Sequence, residues 1–247
     1  MIRESIQWLR SLLFVGQIYL MMPIIGLAFA PWALFSKHGA RTCCKTYSRW
    51  VFFTARFMVG IRCEVRGTPP TGEALIAAKH QSFLDIMMIF TALPTAKFIM
   101  KKEILRTPVI GQYARLLDCV AVDRGKRGAA IEKMVNDVHA GRQEAGQLII
   151  YSQGTRVAPG VKADYKVGTG VLYEQLGQTC VPVATNVGVL WPRRGIMRRP
   201  GVAIVEFMDP IPSGMDRLAF MAQLEQRVEA RSNELMREAG FDPDGVS

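Results

Sequence analysis

A chain of 247 residues is long enough for one sizeable α/β core with an accessory segment and too short for two full domains. Its 31 lysines and arginines against 21 acidic residues leave a formal charge of +10, while 49% of the residues are hydrophobic. That pairing suits an anionic lipid surface. Nucleic acid is disfavoured, because it calls for basic patches among exposed polar residues and gives no reason for an apolar N-terminus.

Residues 12–35, LLFVGQIYLMMPIIGLAFAPWALF, run without a charge for about 24 positions, long enough to cross a hydrocarbon core. Pro23 and Pro31 leave two geometries open, a single span and a bent, re-entrant hairpin in one leaflet. A cleaved signal peptide is not expected, since no small-residue cleavage site follows. Residues 42–61 place Lys45, Arg49 and Arg56 on one helical face and Trp50, Phe53 and Phe57 on a neighbouring one, the pattern of an interfacial helix. A helix docked on the protein's own core is the alternative. Lys37, Arg41, Lys45 and Arg49 outnumber Arg3 and Arg10 across the apolar run. The positive-inside rule therefore puts the rest of the chain on the cytoplasmic face of the inner membrane. Residues 1–65 are expected to form the membrane-anchoring helices and residues 66–247 an α/β domain.

Short apolar strands follow at 74–79, 96–100, 119–123, 147–152, 180–187 and 201–208. Ile131, Met134, Val135 and Val138 repeat at helical spacing between two of them, and an amphipathic helix closes the chain from about Met215 to Ala239. Alternating strands and helices predict a mixed, largely parallel sheet flanked by helices. Cys43, Cys44, Cys63, Cys119 and Cys180 are odd in number and form no CxxC spacing. No disulfide framework and no metal site is expected from them, and a reducing compartment is.

The segment KHQSFLD, residues 79–85, carries the first candidate chemistry. On one continuous helix His80 and Asp85 would lie about 140° apart around the axis and could not meet. Ser82 and Asp85, however, have the spacing of a capping box. A helix starting at Phe83 leaves His80 in the turn after the strand, where Asp85 can reach back to one imidazole nitrogen and leave the other as a general base. The carboxyl end of a parallel strand is also where open α/β sheets hold their ligands. A second stretch, QGTR at 153–156, ends another strand and combines Gly154, Thr155 and Arg156, which suit a phosphate monoester. A third, WPRRGIMRRP at 191–200, sets Arg193, Arg194, Arg198 and Arg199 around Ile196 and Met197, suited to an anionic bilayer or an acidic carrier protein.

KHQSFLD resembles the H-x4-D motif of the glycerolipid acyltransferases. KKEILRTPVIGQYARLLDCVAVDR, YSQGTRVAPG and CVPVATNVGVLWPRRG resemble that family's further blocks in the same order, covering nearly everything from residue 66 to about 210. The resemblance implies direct acyl transfer from acyl-CoA or acyl carrier protein as co-substrate to a lysophospholipid hydroxyl, lysophosphatidic acid first among them, with no other cofactor. It implies His80 as base and Asp85 as its partner. It also implies Arg156 on the acceptor phosphate, helped by Lys101 or Lys102 and by Arg124. Another lysolipid acceptor, or a membrane-bound lipid hydrolase using water, is the alternative. An acyl-serine on Ser82 is disfavoured, since a thioester is already activated and Ser82 serves as a cap. Two positions depart from the pattern: Lys79 stands where Asn is usual before the histidine, and Gln153 where Glu is usual. If position 153 lies near the phosphate, that pocket is one unit more positive than usual.

Overall fold

The computed structural model describes residues 2–122 and 144–245, with Glu132 and Asn136 between them. The expected helix around Ile131 to Val138, the end of the 119–123 strand, and Arg124 lie outside the described residues.

Helix α1 (Ile2–Phe35) runs unbroken through both prolines for about 50 Å, and α2 (Lys37–Thr54) turns back along it from an N-cap at Ser36. The two form an antiparallel hairpin fastened by polar side chains. Tyr47 donates to the Ile18 carbonyl at 3.1 Å, Gln17 donates to Thr54 Oγ1 at 2.9 Å, and Trp50 Nε1 donates to Gln17 Oε1 at 2.7 Å. The reversal therefore falls at residue 36 and not at a proline inside the apolar run. A π-helical turn, Ala55–Val59, leads to strand β1 (Ile61–Gly67), where the sequence predicted a continuing helix.

The remaining elements are β2 (Ala74–Ala78), α3 (Phe83–Ala92), β3 (Ala96–Lys101), a 3-10 turn at Lys102–Arg106, α4 (Ile110–Leu116), β4 (Val120–Val122), β5 (Gln147–Tyr151), α5 (Gly168–Leu176), β6 (Cys180–Thr185), α6 (Val187–Leu190), β7 (Gly201–Phe207) and α7 (Arg217–Glu238). Among the described residues the strands form one sheet in the order β1-β7-β6-β2-β5-β3-β4. Five of them, β6 through β4, run parallel; β7 is antiparallel to β6, and β1 follows β7.

The pleat divides β2 between two cores. Ala74, Ile76 and Ala78 pack with the hairpin, α3 and α4, whereas Leu75 and Ala77 pack with α5 and α7. Helix α7 covers the second face because Phe220, Leu224 and Val228 recur every four residues, all fully buried. Asp216 caps it, accepting from the amides of Leu218 and Ala219.

The basic residues of the hairpin divide, with Arg49 and Arg56 exposed beside the aromatic ones. Trp50, Phe53 and Phe57 are exposed, as expected of an interfacial face. Lys45 instead donates to the Leu93 carbonyl at the end of α3 at 2.8 Å, Arg41 pairs with Glu144 and Lys37 with Asp118. These cations dock the hairpin onto the α/β core.

Candidate active site

Past Ala78 the pleat continues to alternate, so Lys79 turns toward α7 and His80 toward the hairpin side. The capping box is present: Ser82 Oγ accepts from the Leu84 amide, and Asp85 Oδ2 accepts from the amides of Gln81 and Ser82, both at 2.8 Å. Asp85 Oδ1 lies 2.8 Å from His80 Nδ1. A carboxylate can only accept, which assigns the proton to Nδ1 and leaves the Nε2 lone pair free. Asp85 is fully buried and fixed by two amides, so the imidazole is held by a group that cannot itself swing.

A column of rings supports the histidine from below. His80 stacks on Tyr151 at 3.9 Å and 18°, Tyr151 faces Phe98 at 6.2 Å, and Phe98 faces Phe90 at 6.2 Å. The Tyr151 hydroxyl is buried and has no hydrogen-bond partner among the described residues. Burial, with the nearby Asp85 carboxylate second, holds that phenol well above its ordinary pKa and therefore protonated.

His80 stands at the polar end of a cavity of about 530 Å³. Phe83, Met87 and Phe98 of the α/β core form one apolar wall, and Met22, Ile25 and Tyr47 of the hairpin form the other. Cys43, Cys44 and Cys119 also line it. The walls meet closely at Gly26, whose carbonyl accepts from Tyr113 at 2.7 Å and where an added Cβ would lie 2.8 Å from Val109 Cγ1. Lys101, Thr155, Arg156 and Arg193 surround the polar end, whereas Lys102 is exposed in the 3-10 turn and does not line it. Among the described residues no group of His, Cys, Asp and Glu could hold a metal ion.

The loop after β5 folds back on itself. Gly154 takes a left-handed φ of 70°, its amide donates to the Tyr151 carbonyl at 2.8 Å, and the Val157 amide donates to the His80 carbonyl at 2.8 Å. Gly154, Thr155 and Arg156 thereby reach the cavity, but Gln153 does not. It is buried against α7, so the expectation that it tunes the pocket's charge gives way: position 153 faces Glu229, not the cavity.

The arginine loop splits as well. Arg193 lines the cavity and donates to the Arg156 carbonyl at 3.1 Å. Arg198 is buried, donates to the carbonyls of Gly195, Ile196 and Met197, and lies 4.7 Å over the Trp191 ring. Burial pushes its pKa down to about 10. Its backbone is clamped to α1, since the Arg198 amide donates to Ser11 Oγ and Gln7 donates to the Arg198 carbonyl. Arg193, Arg194 and Arg199 are exposed, and Arg198 alone of the four is buried. Sequence reasoning passed over Tyr151 as a site residue and gave Arg193 to a bilayer or carrier surface, whereas it lines the cavity. Tyr151 was findable, because it follows Ile149 at strand period on the His80 face.

Residues 61–186 match the acyltransferase family, and the chain belongs to that family. Over 196 residues it is 27% identical to the 1-acyl-sn-glycerol-3-phosphate acyltransferase of Pseudomonas aeruginosa, covering 78% of this chain and 76% of that protein. It is 31% identical over 141 residues to the protein of the same name from Cocos nucifera, covering 56% of this chain and 46% of that one. The crystal structure of the 1-acyl-sn-glycerophosphate (LPA) acyltransferase from Thermotoga maritima has the same fold, with a TM-score of 0.76 at 20% identity over 93% of this chain and 97% of that one.

Proposed function

We propose that this enzyme transfers a fatty acyl group from an acyl thioester, acyl-CoA or acyl carrier protein, to the free sn-2 hydroxyl of 1-acyl-glycerol-3-phosphate, giving phosphatidic acid for phospholipid synthesis. The observation that carries the reading is the His80–Asp85 pair at the polar end of an apolar cavity, with Lys101, Arg156 and Arg193 beside it. The family relatives named for this reaction support the same choice of acceptor.

In this mechanism the acceptor phosphate sits among the cations at the cavity mouth, where Arg156 offers bidentate donors. His80 Nε2 removes the hydroxyl proton as the oxygen attacks the thioester carbonyl. Asp85 stabilises the imidazolium that forms. The tetrahedral intermediate then collapses, the C–S bond breaks, and the proton returns from His80 to the departing thiolate. The apolar walls take the acyl chain and keep water from competing for the thioester.

The exposed apolar residues of the hairpin, Leu13, Leu20, Leu27 and Phe35 on α1 with Phe53 and Phe57 beyond them, suit the cytoplasmic leaflet of the inner membrane. Such a placement lets the lipid acceptor enter from the bilayer while the catalytic core faces the cytoplasm. The purified protein in detergent, offered a panel of lysolipids with each donor, should acylate lysophosphatidic acid in preference to lysolipids lacking a phosphate monoester. Release of free fatty acid without any acceptor would instead identify a hydrolase.

A further inference from the structure

Behind the strand ends, on the face of the sheet away from the cavity, lies a polar cluster, buried at Lys79 and Gln153 and partly exposed at Glu229, that the reaction does not use directly. Lys79 is 2% exposed and its ammonium reaches Glu229 Oε2 at 2.5 Å. Glu229 Oε1 accepts from the Tyr165 hydroxyl at 3.0 Å and from Gln153 Nε2 at 3.4 Å, and Gln153 also donates to the Ala163 carbonyl at 3.2 Å. Tyr165 stays a donor because burial, and Glu229 after it, push its pKa up. One carboxylate thus joins the residue directly before the histidine, the residue that opens the phosphate-binding loop, and the segment after that loop.

Lys79 and Gln153, far apart in sequence, meet at this one carboxylate. A negative group at 229 explains both: it takes a cation from position 79 and a neutral donor from position 153, where a second carboxylate would repel it. We infer that Glu229 is a positioning residue that sets the Gly154–Arg156 loop against the catalytic histidine from behind the sheet.

The two ends of the connection are not equally dependent on it. His80 is already fixed by Asp85 and the capping box. The loop is held by single contacts: the Val157 amide on the His80 carbonyl, the Lys166 amide on the Ser152 carbonyl, the Arg193 guanidinium on the Arg156 carbonyl, and the turn at Gly154. Gln153 Oε1 is buried with no partner among the described residues, which leaves its amide nitrogen as the side chain's connection to α7. Losing Glu229 should therefore disturb acceptor binding more than the chemical step.

The inference rests on the phosphate reading of Arg156, so its test needs one measurement that does not pass through activity. Glu229→Ala, Glu229→Gln, Lys79→Met and the double variant Lys79→Met/Glu229→Gln are compared with the unaltered enzyme in detergent. Steady-state kinetics use lysophosphatidic acid and acyl-CoA, and hydrogen exchange is followed at the Val157 amide. Glu229→Ala should raise the acceptor KM about tenfold while kcat falls less than about threefold, and Val157 should exchange faster. Lys79→Met, which strands the carboxylate, should be worse than the double variant, which removes the charge as well. Unchanged KM and unchanged exchange in Glu229→Ala would overturn the inference, as would a lowered Tm with all kinetic constants intact. Faster exchange in a protein that does not acylate lysophosphatidic acid would uphold the inference and refute the acceptor.

Discussion

The same strand ends present two different chemistries on their two sides. Facing the hairpin, His80 and Tyr151 look into a largely apolar cavity whose lining also includes Lys101, Thr155, Arg156 and Arg193. Facing α7, Lys79, Gln153 and Tyr165 converge on a carboxylate the protein supplies itself. Adjacent residues in sequence, 79 and 80, fall on opposite sides because the pleat alternates. The lesson is that a motif read as a string mixes two functions: one residue waits for a ligand while its neighbour satisfies the fold.

If that division holds, substitutions on the cavity side should strike the chemistry or the acceptor, and those behind it should act through position. His80→Ala carries the largest expected effect, a loss of about 10²–10⁴ in kcat, with Asp85→Asn somewhat less severe. Single-turnover rates on pre-bound lysophosphatidic acid check this. Arg156→Ala comes next. Removing a charged hydrogen bond worth about 1.5–3 kcal/mol should lower kcat/KM for lysophosphatidic acid by about ten- to a hundredfold, and spare a lysolipid without a phosphate monoester. Equal losses on both acceptors would make Arg156 structural.

Behind the sheet, Gln153→Glu sets a second carboxylate against Glu229 and should both lower Tm and raise the acceptor KM, by less than Arg156→Ala does. A harmless Gln153→Glu would place that side chain elsewhere. Ser82→Ala should cost about 1 kcal/mol of stability through the lost cap and keep most of the activity. A folded but inactive Ser82→Ala would revive an acyl-serine. The smallest effect is expected from Arg194→Ser with Arg199→Ser: weaker attachment to anionic vesicles, a difference that fades as salt is raised.

Much of this was legible in advance because the signals were local. The capping spacing of Ser82 and Asp85 predicts a turn, and the turn brings His80 to Asp85. Strand positions from β2 to β7 follow from apolar runs bounded by breakers. What escaped depends on distant partners. Strand β1 was read as helix because the basic and aromatic periodicity before it blurred the boundary at Gly60, whose left-handed φ of 76° ends the helical stretch. Arg198 looks like its three neighbours in sequence, and only its contacts with Trp191 and α1 distinguish it. Glu229 sits among exposed charges in α7 with nothing local to mark it, since Lys79 is 150 residues away.

The hairpin's part in the cavity has a consequence for anyone wishing to handle this enzyme in plain buffer. Trimming the first 60 residues, the obvious route to a water-soluble form, would strip one wall from the acyl cavity and bare the core side of α3 and α4, so the product should precipitate. The workable route keeps the helices and recodes their outer surface. Leu13, Leu20, Leu27 and Phe35 can become Gln, Glu or Lys, while Phe14, Ile18, Gly26 and Cys43, which face inward, stay as they are.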